Sequence, residues 1–480
     1  MHMNALVRKA GPAVLLLVLW AGPVFVQRDQ QPPRLQPSDT APASGQLAGQ
    51  LKGQGPAGAP FPAPRLARSP QPRRDPPARV SWTIPAAEPS FATFTDWFAR
   101  YSSAELEAKA RLEQEGIELA RQRRVELQQL IQTDPKQALE LAVPVRVRRA
   151  LPQSITSLLE KRVSGRGMLA VFGALPEQGQ ENLAAPTFRR AQLENVEYKA
   201  FVYGRRLGEP TRAEVPLNGI AVDNFLAVNE NPARVLEPEE VADLNVAASE
   251  ALCAVSGQPA TINGEETAVD VGGDVVFLCG KIHADDLNNQ LVAAQAQDIL
   301  GATSVSGEQS ITSAYTEGLK KLLIVRVDFS DLPASTISSN AAVSLIASLN
   351  GFYSESSYGK TGFLLTGAGS GVTPVLRMPR TAADYGGSDD FTGLRTDARS
   401  AAAAAGFVLS QYQFDLICMG AVPGFGWAGL GYVGAPGAWL RNSFSTGVAG
   451  HELGHNYGLN HASFWDTAGQ SIIGSGTRVE

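Results

Sequence analysis

Apolar and polar positions change rhythm several times along the chain, and each change predicts a different kind of element. Through ELEAKARLEQEGIELARQRRVELQQLI the apolar residues recur at helical spacing. Ser102 with Glu105 three residues on reads as a capping box at the start of that helix. Asp134 before Pro135 predicts a second start, over PKQALELA, and a third helix is expected over ITSLLEKRV. From Gly167 to about His283 the rhythm shortens to β-prone runs such as MLAVFGAL, VEYKAFVYG and VVFLCG, separated by turn residues. Beyond residue 319 the two rhythms alternate. LKKLLIVRVDFSD predicts a strand with Asp328 at its end, followed by a helix over SNAAVSLIASLNGFYSESSYG. TGFLLTG and FDLICMG predict further strands, with a helix over RTDARSAAAAAGFVLSQY between them. That alternation predicts an α/β region.

The N-terminal 90 residues follow neither rhythm. Arg8 and Lys9 precede the apolar run AVLLLVLWAGPVFV, the layout of an export signal. The small-residue cleavage pattern is poor, so an uncleaved membrane anchor is the alternative. Residues 27 to 90 hold 14 of the 31 prolines and predict a polyproline-biased linker with a solvated Arg73–Arg74 pair. The whole chain has 480 residues, 18% of them charged, and a formal net charge of −6. That balance excludes a broad basic surface for nucleic acid. Three cysteines cannot build a disulfide framework. Cys253 and Cys279 are expected to pair across neighbouring strands of an exported protein, the alternative being that one thiolate masks a catalytic metal. Cys418, within FDLICMG, reads as a core residue.

Histidine is scarce and unevenly placed. Three of the five fall in HELGHNYGLNH, from His451 to His461. On a helix, His451 and His455 project from one face and can hold one ion. Glu452 follows the first ligand, about 100° around the helix, beside the open metal position. Gly458 can take a left-handed conformation that ends the helix and lets His461 swing back as third ligand. Three imidazoles with a fourth position open to water describe a catalytic zinc site, in which Glu452 is the general base. His283 in KIHADD reads as a surface or turn residue, and His2 belongs to the export segment. Asp389 and Asp390 could contribute to a calcium site but read more simply as a solvated turn. Tyr457, between two ligands, is expected to point away and pack.

The pattern H-E-x-x-H-x-x-G-x-x-H, met at His451, Glu452, His455, Gly458 and His461, resembles the signature of the metzincin zinc metallopeptidases. FYSESSYGK, LIVRVDFSD, RTAADYGG and AGHELGHNYGLNHAS make residues 319 to 475 most similar to the gametolysin-like peptidases. The resemblance implies a zincin domain with a twisted mixed sheet above an active-site helix, Zn2+ as cofactor, a protein or peptide substrate, and an N-terminal pro-region. The expected organisation is a signal or anchor over 1–27, a linker over 28–90, a helical segment over 91–165, a β-rich pro-region over 166–300 and a catalytic domain over 319–480. Metzincins also carry a methionine-containing turn after the third histidine. Here nineteen residues follow His461 without a methionine, so the catalytic domain is expected to be truncated. The expected function is that of a secreted zinc endopeptidase acting on extracellular or cell-wall proteins. Its competitors are an exported binding protein with a degenerate zincin domain and a hydrolase of non-peptide amides.

Overall fold

The computed structural model describes Trp82 and residues 89–177, 186–244, 251–261, 267–300, 315–462, 464–466 and 477–479. The export or anchor segment, His2, nearly all of the Pro-rich stretch and most of the chain beyond His461 lie outside the described residues.

Five helices come first: α1 (Pro89–Ser103), α2 (Leu106–Thr133), α3 (Pro135–Glu140), α4 (Val145–Arg149) and α5 (Gln153–Thr156). Phe94, Trp97, Phe98 and Tyr101 of α1 form a core with Ala120, Val143, Val147 and Ile155. Asp134 caps α3 as its spacing predicts, its carboxylate accepting the Gln137 N–H at 2.9 Å. The expected capping box does not form. Ser102 lies in the last turn of α1, where its hydroxyl donates to the Ala99 carbonyl, and Glu105 begins α2 without a side-chain cap. The helix expected over ITSLLEKRV stops at Thr156, because Lys161 onward is drawn into a strand. At that junction Glu160 is fully buried with Arg123 and accepts the Val143 N–H at 2.6 Å.

The strand is β1 (Lys161–Pro176), and it belongs to two structures at once. With β2 (Thr187–Leu193), β3 (Val196–Phe201), β4 (Arg212–Val222) and β5 (Phe225–Val228) it closes a ring in the order β1–β2–β3–β5–β4–β1. Leu169, Leu193, Leu217, Leu226 and Val228 pack together within that ring. Phe91, Leu127 and Ile131 pack against Ile220, Val222 and Ala227 and so fasten the helices to it. Next come β6 (Ala233–Val235), α6 (Pro238–Val241), β7 (Thr267–Val271), β8 (Asp274–Leu278) and α7 (Ile282–Leu300). The strands β6, β7 and β8 form a separate antiparallel sheet, one of whose clusters includes Ala284 of α7.

The remaining elements are β9 (Gly318–Lys320), β10 (Leu322–Asp328), α8 (Ser339–Ser356), β11 (Thr361–Phe363), β12 (Gly371–Arg377), α9 (Ala382–Gly387), α10 (Phe391–Ala404), β13 (Phe414–Met419), β14 (Trp427–Tyr432), β15 (Ala438–Arg441) and α11 (Thr446–Asn456). A short antiparallel pair, β16 (Phe464–Asp466) and β17 (Thr477–Val479), follows. Strands β12, β10, β13 and β15 are parallel, whereas β14 runs antiparallel to β15. Alternation along β10 explains the layers: Leu323, Val325 and Val327 pack with Phe391, Leu394 and Ala398 of α10, and Leu322 and Ile324 with residues of α8 and α11. Both faces being covered, the strand reads as one continuous apolar run.

β1 also pairs antiparallel with β14, placing Phe172 opposite Tyr432 and Ala174 opposite Leu430. One ten-stranded mixed sheet therefore runs through β12–β10–β13–β15–β14–β1–β2–β3–β5–β4. The segments 166–300 and 319–480 share it, and the boundary placed at residue 165 from sequence falls inside β1. Among the described residues no helix is long and apolar enough to cross a membrane.

Candidate metal centre

Ser445 caps α11, its hydroxyl accepting the Val448 N–H at 3.3 Å. At the other end Gly458 has φ +98°, where a side chain would strain the backbone. Its N–H donates to the His455 carbonyl at 2.8 Å and the Leu459 N–H to the Gly454 carbonyl at 3.1 Å, the paired bonds of a Schellman motif. The reversal brings the Leu459 carbonyl 2.7 Å from His455 Nδ1. A carbonyl only accepts, so Nδ1 carries the proton and Nε2 presents its lone pair outward.

His455 Nε2 lies 3.1 Å from His451 Nε2 and 3.1 Å from His461 Nε2. Nitrogen donors about 2.0–2.1 Å from one tetrahedral ion would stand about 3.3–3.4 Å apart, so the three residues fit a zinc ion. Burial, reinforced by the neighbouring imidazoles, brings His451 down to about 4. Burial likewise brings His455 to about 4 against the opposing pull of the Leu459 carbonyl. Neutral rings are the form that binds a metal.

Glu452 is fully buried, and among the described residues neither carboxylate oxygen has a hydrogen-bond partner. Burial raises its pKa well above the ordinary carboxylate range. It is not among the donor atoms that lie within 4.8 Å of one another, so it stands outside the ligand set. The sheet reaches it only because of glycines: a Cβ on Gly429 would lie 2.4 Å from Glu452 Oε1, and one on Gly431 would lie 2.5 Å from the Glu452 carbonyl oxygen. On β1, a Cβ on Gly173 would lie 2.4 Å from His455 Nε2. Strand β1 therefore lies directly against a ligand of the candidate site.

Asn456 fixes the helix to the sheet and was missed in the sequence. Its amide donates to the Tyr432 and Gly437 carbonyls at 3.0 and 2.9 Å, and its carbonyl accepts the Gly437 N–H at 3.1 Å. Tyr353 of α8 donates to the Gly450 carbonyl at 2.6 Å. The only sequence signal for this packing is the glycine alternation at 429 and 431, which marks close backbone approach.

Other sequence-derived candidates fall elsewhere. Tyr457 packs against Tyr353, Phe363 and Phe414, with its hydroxyl 3.1 Å from Thr361 Oγ1. Asp389 pairs with Arg190, while Asp390 caps α10 and pairs with Arg380, so both carboxylates are engaged by protein cations. Cys418 is fully buried in the core. His283 is not a plain turn residue, because its ring meets both Cys253 and Cys279. Those two thiols are not joined in a disulfide, and they converge on His283 rather than on the three-histidine cluster. A cavity of about 410 Å3 lies between α2, β2 and β3; Asp389 lines it, and none of His451, Glu452, His455 and His461 does.

Comparison of the chain with protein-family models, curated proteins and solved structures yields no match.

Proposed function

We propose that the chain is an exported zinc-dependent endopeptidase with a metzincin-like domain similar to the gametolysin-like peptidases, acting on extracellular or cell-wall proteins. The observation that carries this reading is the convergence of His451, His455 and His461, on and just after the helix that also carries Glu452, which is buried and has no hydrogen-bond partner among the described residues. A purely structural zinc site has no need of such a carboxylate. Zinc, when bound, supplies Lewis acidity toward a peptide carbonyl and lowers the pKa of water to about 7. Glu452 accepts the proton of the attacking water and returns it to the leaving amine nitrogen.

The reading includes latency. An extended peptide binds a sheet by adding to a strand edge. The edge of β14 away from β15 is occupied by β1, antiparallel and with Gly173 against His455. Freeing that edge requires β1 to leave, which gives the expected pro-region a physical task.

The test is hydrolysis of a peptide library by the zinc-loaded chain before and after limited proteolysis, with Glu452→Ala alongside. The expected result is chelator-sensitive cleavage that Glu452→Ala abolishes while its zinc is retained. Cleavage unchanged in Glu452→Ala would refute the assigned base. No cleavage by any zinc-loaded form would favour the exported binding protein.

A further inference from the structure

A second set of metal-binding side chains lies far along the chain from the three histidines. Cys253 sits in the segment 251–261, Cys279 follows β8 directly, and His283 occupies the first turn of α7. His283 Nδ1 is 3.3 Å from Cys253 Sγ and 3.3 Å from Cys279 Sγ, and all three donor atoms lie within 4.8 Å of one another.

The disulfide expected from the spacing does not explain this arrangement. One ring nitrogen has a single proton or a single lone pair, so it cannot form full hydrogen bonds to two thiols together. Sulfur and nitrogen ligands of one tetrahedral zinc, at about 2.3 and 2.0–2.1 Å, stand about 3.5 Å apart. The observed separations match that geometry closely. Ser256 adds what metal-bound thiolates need around them: its N–H donates to Cys253 Sγ at 3.5 Å, and its hydroxyl lies 3.5 Å from Cys279 Sγ. Both cysteines are buried, in a cluster with Ala233, Val269, Val271, Leu278 and Ala284. Two thiolates with an imidazole select zinc over hard cations such as calcium or magnesium.

We propose that Cys253, Cys279 and His283 bind a second zinc ion, which fastens the 251–261 segment to the junction of β8 and α7. The small three-stranded sheet builds two apolar clusters, and a structural metal would add to the stability they supply. The site shares no ligand with the three-histidine centre, so it stands or falls independently of the proposed peptidase activity.

The test uses the full chain, purified without reductant and loaded with Zn2+ or Co2+. Metal analysis should give two zinc ions per chain, one in His455→Ala and one in Cys279→Ser. Alkylation in denaturant with chelator but without reductant should modify three cysteines. Should Cys279→Ser fail to fold, the Co2+ form of His455→Ala decides alone. It should show a sulfur-to-cobalt charge-transfer band in the near ultraviolet, which an all-imidazole site cannot produce. Absence of that band, a Cys253–Cys279 disulfide in the mass spectrum, or a zinc content unchanged by folded Cys279→Ser would each overturn the proposal.

Discussion

Gly173 is where the latency reading can be tested most directly. A Cβ at this position would lie 2.4 Å from His455 Nε2, about 1 Å inside ordinary van der Waals contact. Either the imidazole or the strand must give way. His455 is held by its Nδ1 bond to the Leu459 carbonyl, and its own carbonyl accepts the Gly434 and Gly458 N–H groups at 2.8 Å. The strand is the softer partner, because its pairing with β14 spans only Phe172 to Pro176 and shifts register near its end. Overpacking of this kind costs about 1–3 kcal/mol. Gly173→Ala should therefore raise the population of chains with β1 detached from β14 by about 5- to 150-fold. Amide hydrogen exchange should accelerate by the same factor within Phe172–Leu175, Ala174 excepted because its N–H bonds the Pro186 carbonyl rather than β14. Gly165→Ala is the control, since a Cβ there meets only the end of the Leu193 side chain, at 3.3 Å. Exchange in Gly173→Ala no faster than in Gly165→Ala, with zinc affinity reduced instead, would show that His455 yields and that β1 is not the movable latch.

Gly458→Ala meets no neighbouring atom within 4 Å, so its cost is backbone strain of about 1–2 kcal/mol at φ +98°. Because that turn brings His461 to the other two ligands, chelator competition should show zinc affinity lowered about 5- to 30-fold; unchanged affinity would mean the turn does not position the ligand. Asn456→Ala leaves the Tyr432 carbonyl and the Gly437 N–H without their Asn456 partner, while the Gly437 carbonyl keeps the Tyr432 N–H, and should lower stability by about 2 kcal/mol or more in denaturant titration. Burial opposes ionisation of Glu160, but the charges of Arg123 and Arg148 outweigh it and hold its pKa below the ordinary value. A depressed carboxylate contributes stability above its unfolded pKa of about 4.3 and loses it as pH falls through the folded value. Glu160→Gln should cost about 3–5 kcal/mol at pH 7, and its unfolding curve should approach that of the parent chain in acid. Equal stability at neutral pH would show the buried pair to be dispensable.

The local sequence determined the candidate metal ligands. His451 and His455 share a helix face because four residues make about one turn, and Gly458 reverses the chain because a residue without Cβ tolerates positive φ. These are properties of eleven contiguous residues and need no knowledge of the fold. The strands β10 and β13 and the helix α8 were legible for the same reason, since their apolar runs carry their own periodicity. The ITSLLEKRV helix was misread because its end is decided by partners distant in sequence: Lys161 and its successors pair with Ala221 and its neighbours in β4. No periodicity encodes that pairing. Tertiary structure alone likewise set β1 across the edge of β14, left Glu452 without a hydrogen-bond partner among the described residues, and turned Cys253, Cys279 and His283 toward one point. Each depends on which strands become neighbours, a choice made by burial summed over the whole sheet rather than by any one segment. The sequence therefore named the residues that could hold a metal ion, and the fold decided what covers them.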